Sequence, residues 1–211
     1  MAVADVPAEP RIFASISQGW TNLRAHFWIL VGFAVLTVVL GAVGNAGEWF
    51  PVGSTTAIVL GIVGGLFSLL LMAPLGYGVV QGHLKASRDE APAWADLKAG
   101  FARYGQAVLL ALLTVLIVAV GFVLLVIPGI YVMVRIAFAP YRFIQDGVGA
   151  VDAIKASFED TKGRWWRTFG LILMAIPLIV VGALALFVGI FVALPLIHQM
   201  FTVYWRSIDA A

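Results

Sequence analysis

The chain has 211 residues, of which 62% are hydrophobic and only 11% charged, and its formal net charge is +2. Soluble domains carry about 25% charged and 45–50% apolar residues, so this composition excludes a soluble enzyme, a disordered chain and a nucleic-acid binder. What remains is a polytopic membrane protein. The absence of cysteine further excludes disulfides, thiolate metal sites and cysteine nucleophiles.

Residues 1–10 contain Asp5 and Glu9 but no Lys or Arg. They lack the basic start of a secretory signal and read as a flexible cytoplasmic tail. Apolar segments then follow at Phe27 to Val43, at Thr56 to Leu84, and at Tyr104 to Val126, where Pro128-Gly129 stops the third. A fourth covers Ile130 to Ile144. The last, Thr168 to Trp205, has roughly 38 residues, twice the ~20 that one helix needs to cross hydrocarbon. A hairpin turning between Gly182 and Gly189 accommodates it. One span with a re-entrant piece is the alternative, and it leaves backbone groups unpaired in lipid. The fold class is therefore all-α, with about six transmembrane helices in a single domain over residues 11–206 and a C-terminal tail at 207–211.

Charge placement tests this reading. All but one of the 13 Lys and Arg fall before the first helix, in the second and fourth connections, or after the last helix. The positive-inside rule makes that side, and with it both termini, cytoplasmic. The tryptophans, at 20, 28, 49, 94, 165, 166 and 205, lie near segment ends or in connections, the headgroup level that indoles favour.

Each cytoplasmic stretch before an outward segment is amphipathic, with apolar stripes Ile12/Ile16/Trp20/Leu23, Trp94/Leu97/Phe101/Tyr104 and Val151/Ile154/Phe158. Short helices of this kind lie along a leaflet with the apolar face down. Ala14-Ser15-Ile16, Ala99-Gly100-Phe101 and Ala156-Ser157-Phe158 align with one another, as do Pro74, Pro140 and Pro195 late in the inward segments. The pattern describes a threefold parallel repeat with units 11–85, 92–146 and 148–206, each kinked at its proline. Parallel copies argue against the inverted-repeat transporter designs.

Arg135 is the one charge inside a segment. It lies six residues beyond Gly129, roughly 9 Å from the outer turn, with no Asp or Glu in any segment to pair with it. Tyr131, Arg135, Phe138 and Arg142 share a helical stripe, and the two guanidinium forks are candidates for an anionic group or lipid phosphate; snorkelling or packing is the competing role. His26, His83 and His198 lack metal-ligand spacing, and Gln81, Gln106 and Gln199 suit interhelical hydrogen bonds. Gly61 and Gly65 form a small-xxx-small pair for close helix packing. No nucleophile or phosphate-loop motif is present.

The run Val126-Ile127-Pro128-Gly129-Ile130-Tyr131-Val132-Met133-Val134-Arg135, followed by Phe138-Ala139-Pro140-Tyr141, resembles a signature of uncharacterised bacterial inner-membrane proteins. These are the YciC-like group and the membrane domain associated with glycerophosphodiester phosphodiesterases. Ala150 to Phe158 and Gly163-Arg164-Trp165-Trp166 fit the same pattern. The resemblance implies an inner-membrane location and about six spans, and it supplies no catalytic residue. The expected function is thus that of an auxiliary protein which organises or stabilises a membrane assembly and binds anionic lipid. It has no enzymatic role, no metal and no cofactor, and its partners are membrane lipids and a membrane protein or a second copy of the chain. A small transporter or channel for an anionic or amphiphilic solute is the alternative.

Overall fold

A computed structural model describes residues 12–185 and 189–210. The expected tail at 1–10 and the middle of the last turn, 186–188, lie outside these residues. Among those described, the chain is helical without a strand. The α-helices are α1 Ile12–Ala25, α2 Phe27–Gly44, α3 Thr55–Phe67, α4 Ala73–Ser87, α5 Tyr104–Leu124, α6 Val126–Ile136, α7 Ala139–Gln145, α8 Ala150–Asp160, α9 Trp165–Leu184 and α10 Ile190–Asp209. A π turn, Ser68–Met72, joins α3 to α4, and Trp94–Phe101 forms a 3-10 helix.

Five helical segments are long and apolar enough to cross a membrane: 27–44, 55–87, 104–124, 126–145 and 165–184. Their apolar side chains, such as Val39, Ile62, Val120 and Ile176, face outward rather than into a core, which suits lipid and not water. The sixth expected segment differs. α10 has 20 residues, but His198, Gln199, Thr202, Arg206 and Ser207 fill its C-terminal half, so it is too polar to join those five. That half is the centre of the bundle. Gln199, Met200, Thr202, Val203, Tyr204, Trp205, Ser207 and Ile208 are all buried, so the helix continues through the residues expected to form a tail. Trp205, expected at a headgroup boundary, is fully enclosed and stacks on Tyr141 at 5.3 Å.

The three short helices are present, and their packing faces combine part of the expected apolar stripes, Ile12, Ile16 and Leu23, Leu97, and Ile154 and Phe158, with small and polar residues. α1 buries Ser15, Gly19, Asn22 and Leu23, while Trp20 and Phe13 stay exposed. Gly19 lets the backbone of α1 approach α10 at Gln199 and Met200, where an added Cβ would stand 3.0 Å from Met200 N. The 3-10 helix docks on α4 through Leu97 and Gly100, against Gly78 and Pro74. α8 buries Ala150, Ala153, Ile154, Ser157 and Asp160 against α5, α6 and α7, leaving Val151 exposed. Small and polar residues sit at these contacts because backbones must come close, and their hydroxyls and amides find partners there.

Pro74 follows the π turn, Pro140 opens α7 after a break at Ala137–Phe138, and Pro195 lies within an unbroken α10. The break before Pro140 is filled by Ser157 of α8. Its hydroxyl donates to the Arg135 carbonyl at 2.7 Å and accepts from the Phe138 N–H at 3.1 Å. We expect Ser157→Ala to leave both groups unpaired and to cost about 1–3 kcal/mol, measured as loss of thermal stability in mild detergent.

Candidate functional site

The basic side chains gather the ends of α4, α5, α7, α8 and α10 into one face of the molecule. Arg88 bonds Gln145, Arg206 bonds the Ser87 carbonyl, and Lys85 pairs with Asp96. Arg103 donates to the carbonyls of Phe143, Gly147 and Val148, which fixes the α7–α8 loop; Gly147 there has a φ of +63°, a conformation glycine adopts without strain. Several of these basic side chains are thus staples between connections.

Arg142 is the largest of these staples. Its fork holds both oxygens of Asp160 at 2.9 and 2.6 Å, and Nη1 reaches Asp146 at 3.1 Å and Asp209 at 2.7 Å. The Trp205 indole N–H donates to Asp160 at 3.1 Å, and the Arg142 guanidinium lies 5.2 Å from the Trp205 ring. Three carboxylates therefore engage Arg142. Asp160 carries no signal of this role in the sequence, because only the tertiary fold brings it to Arg142.

Arg135 is placed differently. It makes no ion pair among the described residues. Its guanidinium lies 4.9 Å from the Phe158 ring and 5.9 Å from that of Tyr131, and its Nε is buried without a hydrogen-bond partner. Two aromatic faces hold the cation, an arrangement worth about 0.5–2 kcal/mol that leaves its remaining donors available. Phe158 belongs to α8, so this contact ties Arg135 to the short helix that follows α7.

Tyr131 continues this arrangement. Its ring stacks on Trp165 at 5.9 Å, its carbonyl accepts from the Trp165 indole at 3.3 Å, and Trp165 stacks on Phe169 at 5.1 Å. Ile127, Ile130, Tyr131, Trp165, Trp166 and Phe169 line an open cleft of about 540 Å³ between α6 and α9. Lys162, Arg164 and Arg167 flank it in sequence. The site is thus an apolar slot with a cation behind one wall that no acidic side chain pairs among the described residues, and it unites Tyr131 with Arg135 but not with Arg142.

A family model described as a protein of unknown function, DUF975, matches residues 57–211. The chain belongs to this family. No solved structure matches it. In this DUF975 chain the cleft and the Arg142 network both fall inside the matched region.

The remaining candidates are dispersed. Gly61 and Gly65 have open space where a Cβ would point, whereas the helix contact is made by Gly64 against the Gly44 carbonyl and by Gly47 against the Gly61 backbone. His83 and His198 stack at 4.9 Å, and the Gln199 amide lies 3.1 Å from His83 Nδ1. Gln106 likewise accepts from the Ala150 N–H at 2.9 Å. No group of three metal-ligating side chains occurs among the described residues.

Proposed function

We propose that this protein is an auxiliary component of the bacterial inner membrane that binds anionic lipid in the cleft between α6 and α9 and thereby stabilises a membrane assembly. The observation that carries this reading is Arg135, a cation held by Tyr131 and Phe158 without a counter-charge, beside an aromatic slot of about 540 Å³. A charge in a membrane segment is costly unless something pairs with it, and a lipid phosphate presents the oxygens a guanidinium fork accepts. The apolar lining suits the lipid's chain. The assembly is formed with another membrane protein or with a second copy through the open Gly61 and Gly65 face.

The positive-inside rule supports an orientation with the basic face and both termini in the cytoplasm. The resemblance of residues 126–141 to the YciC-like proteins supports this location. The parallel threefold repeat is supported by the docking pattern, since each proline-bearing helix receives a short helix. Pro74 of α4 receives Gly100, the break before Pro140 receives Ser157, and α10 receives Gly19 of α1.

The test is co-purification in mild detergent followed by lipid mass spectrometry. Arg135→Ala is expected to retain about tenfold less anionic lipid, as loss of a charged hydrogen bond implies, while Arg135→Lys retains part of it. Equal lipid in wild type and Arg135→Ala would remove the cleft from lipid binding. An anionic-solute flux into liposomes that disappears in Arg135→Ala would identify transport instead.

A further inference from the structure

We infer that the α5–α6 hairpin does not cross the membrane: it enters from the basic face, turns inside the hydrocarbon and displaces acyl chains of that leaflet only. The geometry rests on two helix N-termini. If α5 and α6–α7 each crossed, the N-terminus of α6 would lie at the face opposite the start of α9, about 30 Å away. The structure puts them side by side. The Trp165 indole bonds the Tyr131 carbonyl at 3.3 Å, and Ile127 and Ile130 share a cleft with Trp165 and Phe169.

The level of Trp165 is fixed independently. Gly182 packs on Gly189 and Ala193, and Leu171 shares a core with Met200, Tyr204 and Trp205. This antiparallel pairing puts Trp165 beside the C-terminal end of α10, where Arg206 bonds Ser87 and Asp209 bonds Arg142. Leu125, at the turn, is six residues from Tyr131, so it rises no more than about 9 Å above that level.

The chemistry of the turn agrees. The α2–α3 connection carries Asn45, Glu48, Trp49 and Ser54, groups suited to a water boundary, whereas residues 121–130 contain no hydrogen-bonding side chain. Val123 and Ile127 are nonetheless 87% and 80% exposed, an apolar tip with only lipid to receive it. An intramembrane turn must limit unpaired backbone donors. The Leu125 N–H bonds Gly121 at 3.1 Å, the Gly129 N–H bonds Leu125 at 3.2 Å, and Pro128 has no N–H to satisfy. The proline and glycine first read as a stop signal thus serve a turn that stays out of water.

The chain has no cysteine, so single cysteines report without background. Val52→Cys, in the α2–α3 connection, and Glu159→Cys, on α8, mark the two faces in sealed vesicles of both orientations treated with a membrane-impermeant maleimide. Val126→Cys is expected to react from neither side. Carrying a fluorophore, it should be quenched most by lipids brominated along the acyl chains of the Glu159 leaflet. Reaction of Val126→Cys from the Val52 side, or strongest quenching by probes in the Val52 leaflet, would overturn the inference. Leu124→Cys carries the same readout if Val126→Cys does not accumulate. The cytoplasmic assignment of that leaflet rests on the orientation proposed above, and the two marker cysteines test it separately.

Discussion

Replacing Asp160 with alanine is expected to lower the unfolding free energy by about 3–5 kcal/mol, the usual cost of breaking a buried ion pair by removing one partner. Asp160 is 7% exposed and accepts from the Arg142 fork at 2.9 and 2.6 Å and from the Trp205 indole at 3.1 Å. Without it, a guanidinium only 17% exposed loses its bidentate partner, and the enclosed indole loses its acceptor. Asp146→Ala removes a more exposed partner of the same arginine and should cost less than about 1 kcal/mol. Both are read from thermal unfolding in mild detergent, with tryptophan fluorescence reporting on Trp205. Equal losses in the two variants would show that the network does not concentrate its stabilisation at Asp160.

Two glycines two residues apart on α4, and so on different faces of the helix, should respond to alanine with opposite signs. Gly78 lies against the Leu97 backbone, and an added Cβ would overlap the Leu97 carbonyl; Gly76 has open space within 4 Å of the same position. Gly78→Ala must push the 3-10 helix away, at a cost of about 1–3 kcal/mol from overpacking. Gly76→Ala meets nothing, and relief of glycine's backbone entropy should stabilise by about 0.5–1 kcal/mol. Melting temperatures of the two variants check the sign. Proteolysis in the 88–93 loop checks the mechanism, since only Gly78→Ala undocks Trp94–Phe101.

The helical segments were legible because their signal is local. A run of about 20 apolar residues has to be a helix in lipid, and its ends are marked by charge, Pro and Gly. The boundary that proved hardest was α10, whose polar C-terminal half looks like a membrane exit but is the core of the bundle. The short helices show the same limit. Their apolar stripes were visible and partly pack inward, yet Ser15, Gly19 and Ser157 share the contacts, and small residues carry no periodic signal that separates a docking face from a solvent face. Arg135 and Tyr131 stood out as a charge and an aromatic in an apolar run, and they do meet across one helix face. Phe158 and Trp165 complete their surroundings from α8 and α9, which no spacing within α6 could reveal.

By itself, the sequence determined that this is a helical membrane protein, where its apolar segments lie and that nearly all of its positive charges fall outside them. Each of these follows from transfer free energy, a property of single residues summed along the chain. Only the tertiary structure decided which cations are neutralised. Arg142 meets Asp160 and Asp209 from distant parts of the chain besides Asp146 one turn on, while Arg135 meets two aromatic rings and, among the described residues, no acid. Only the tertiary structure, too, set the α6 turn beside the start of α9. Hydropathy records whether a helix is apolar enough to enter lipid, whereas depth depends on which ends are packed together.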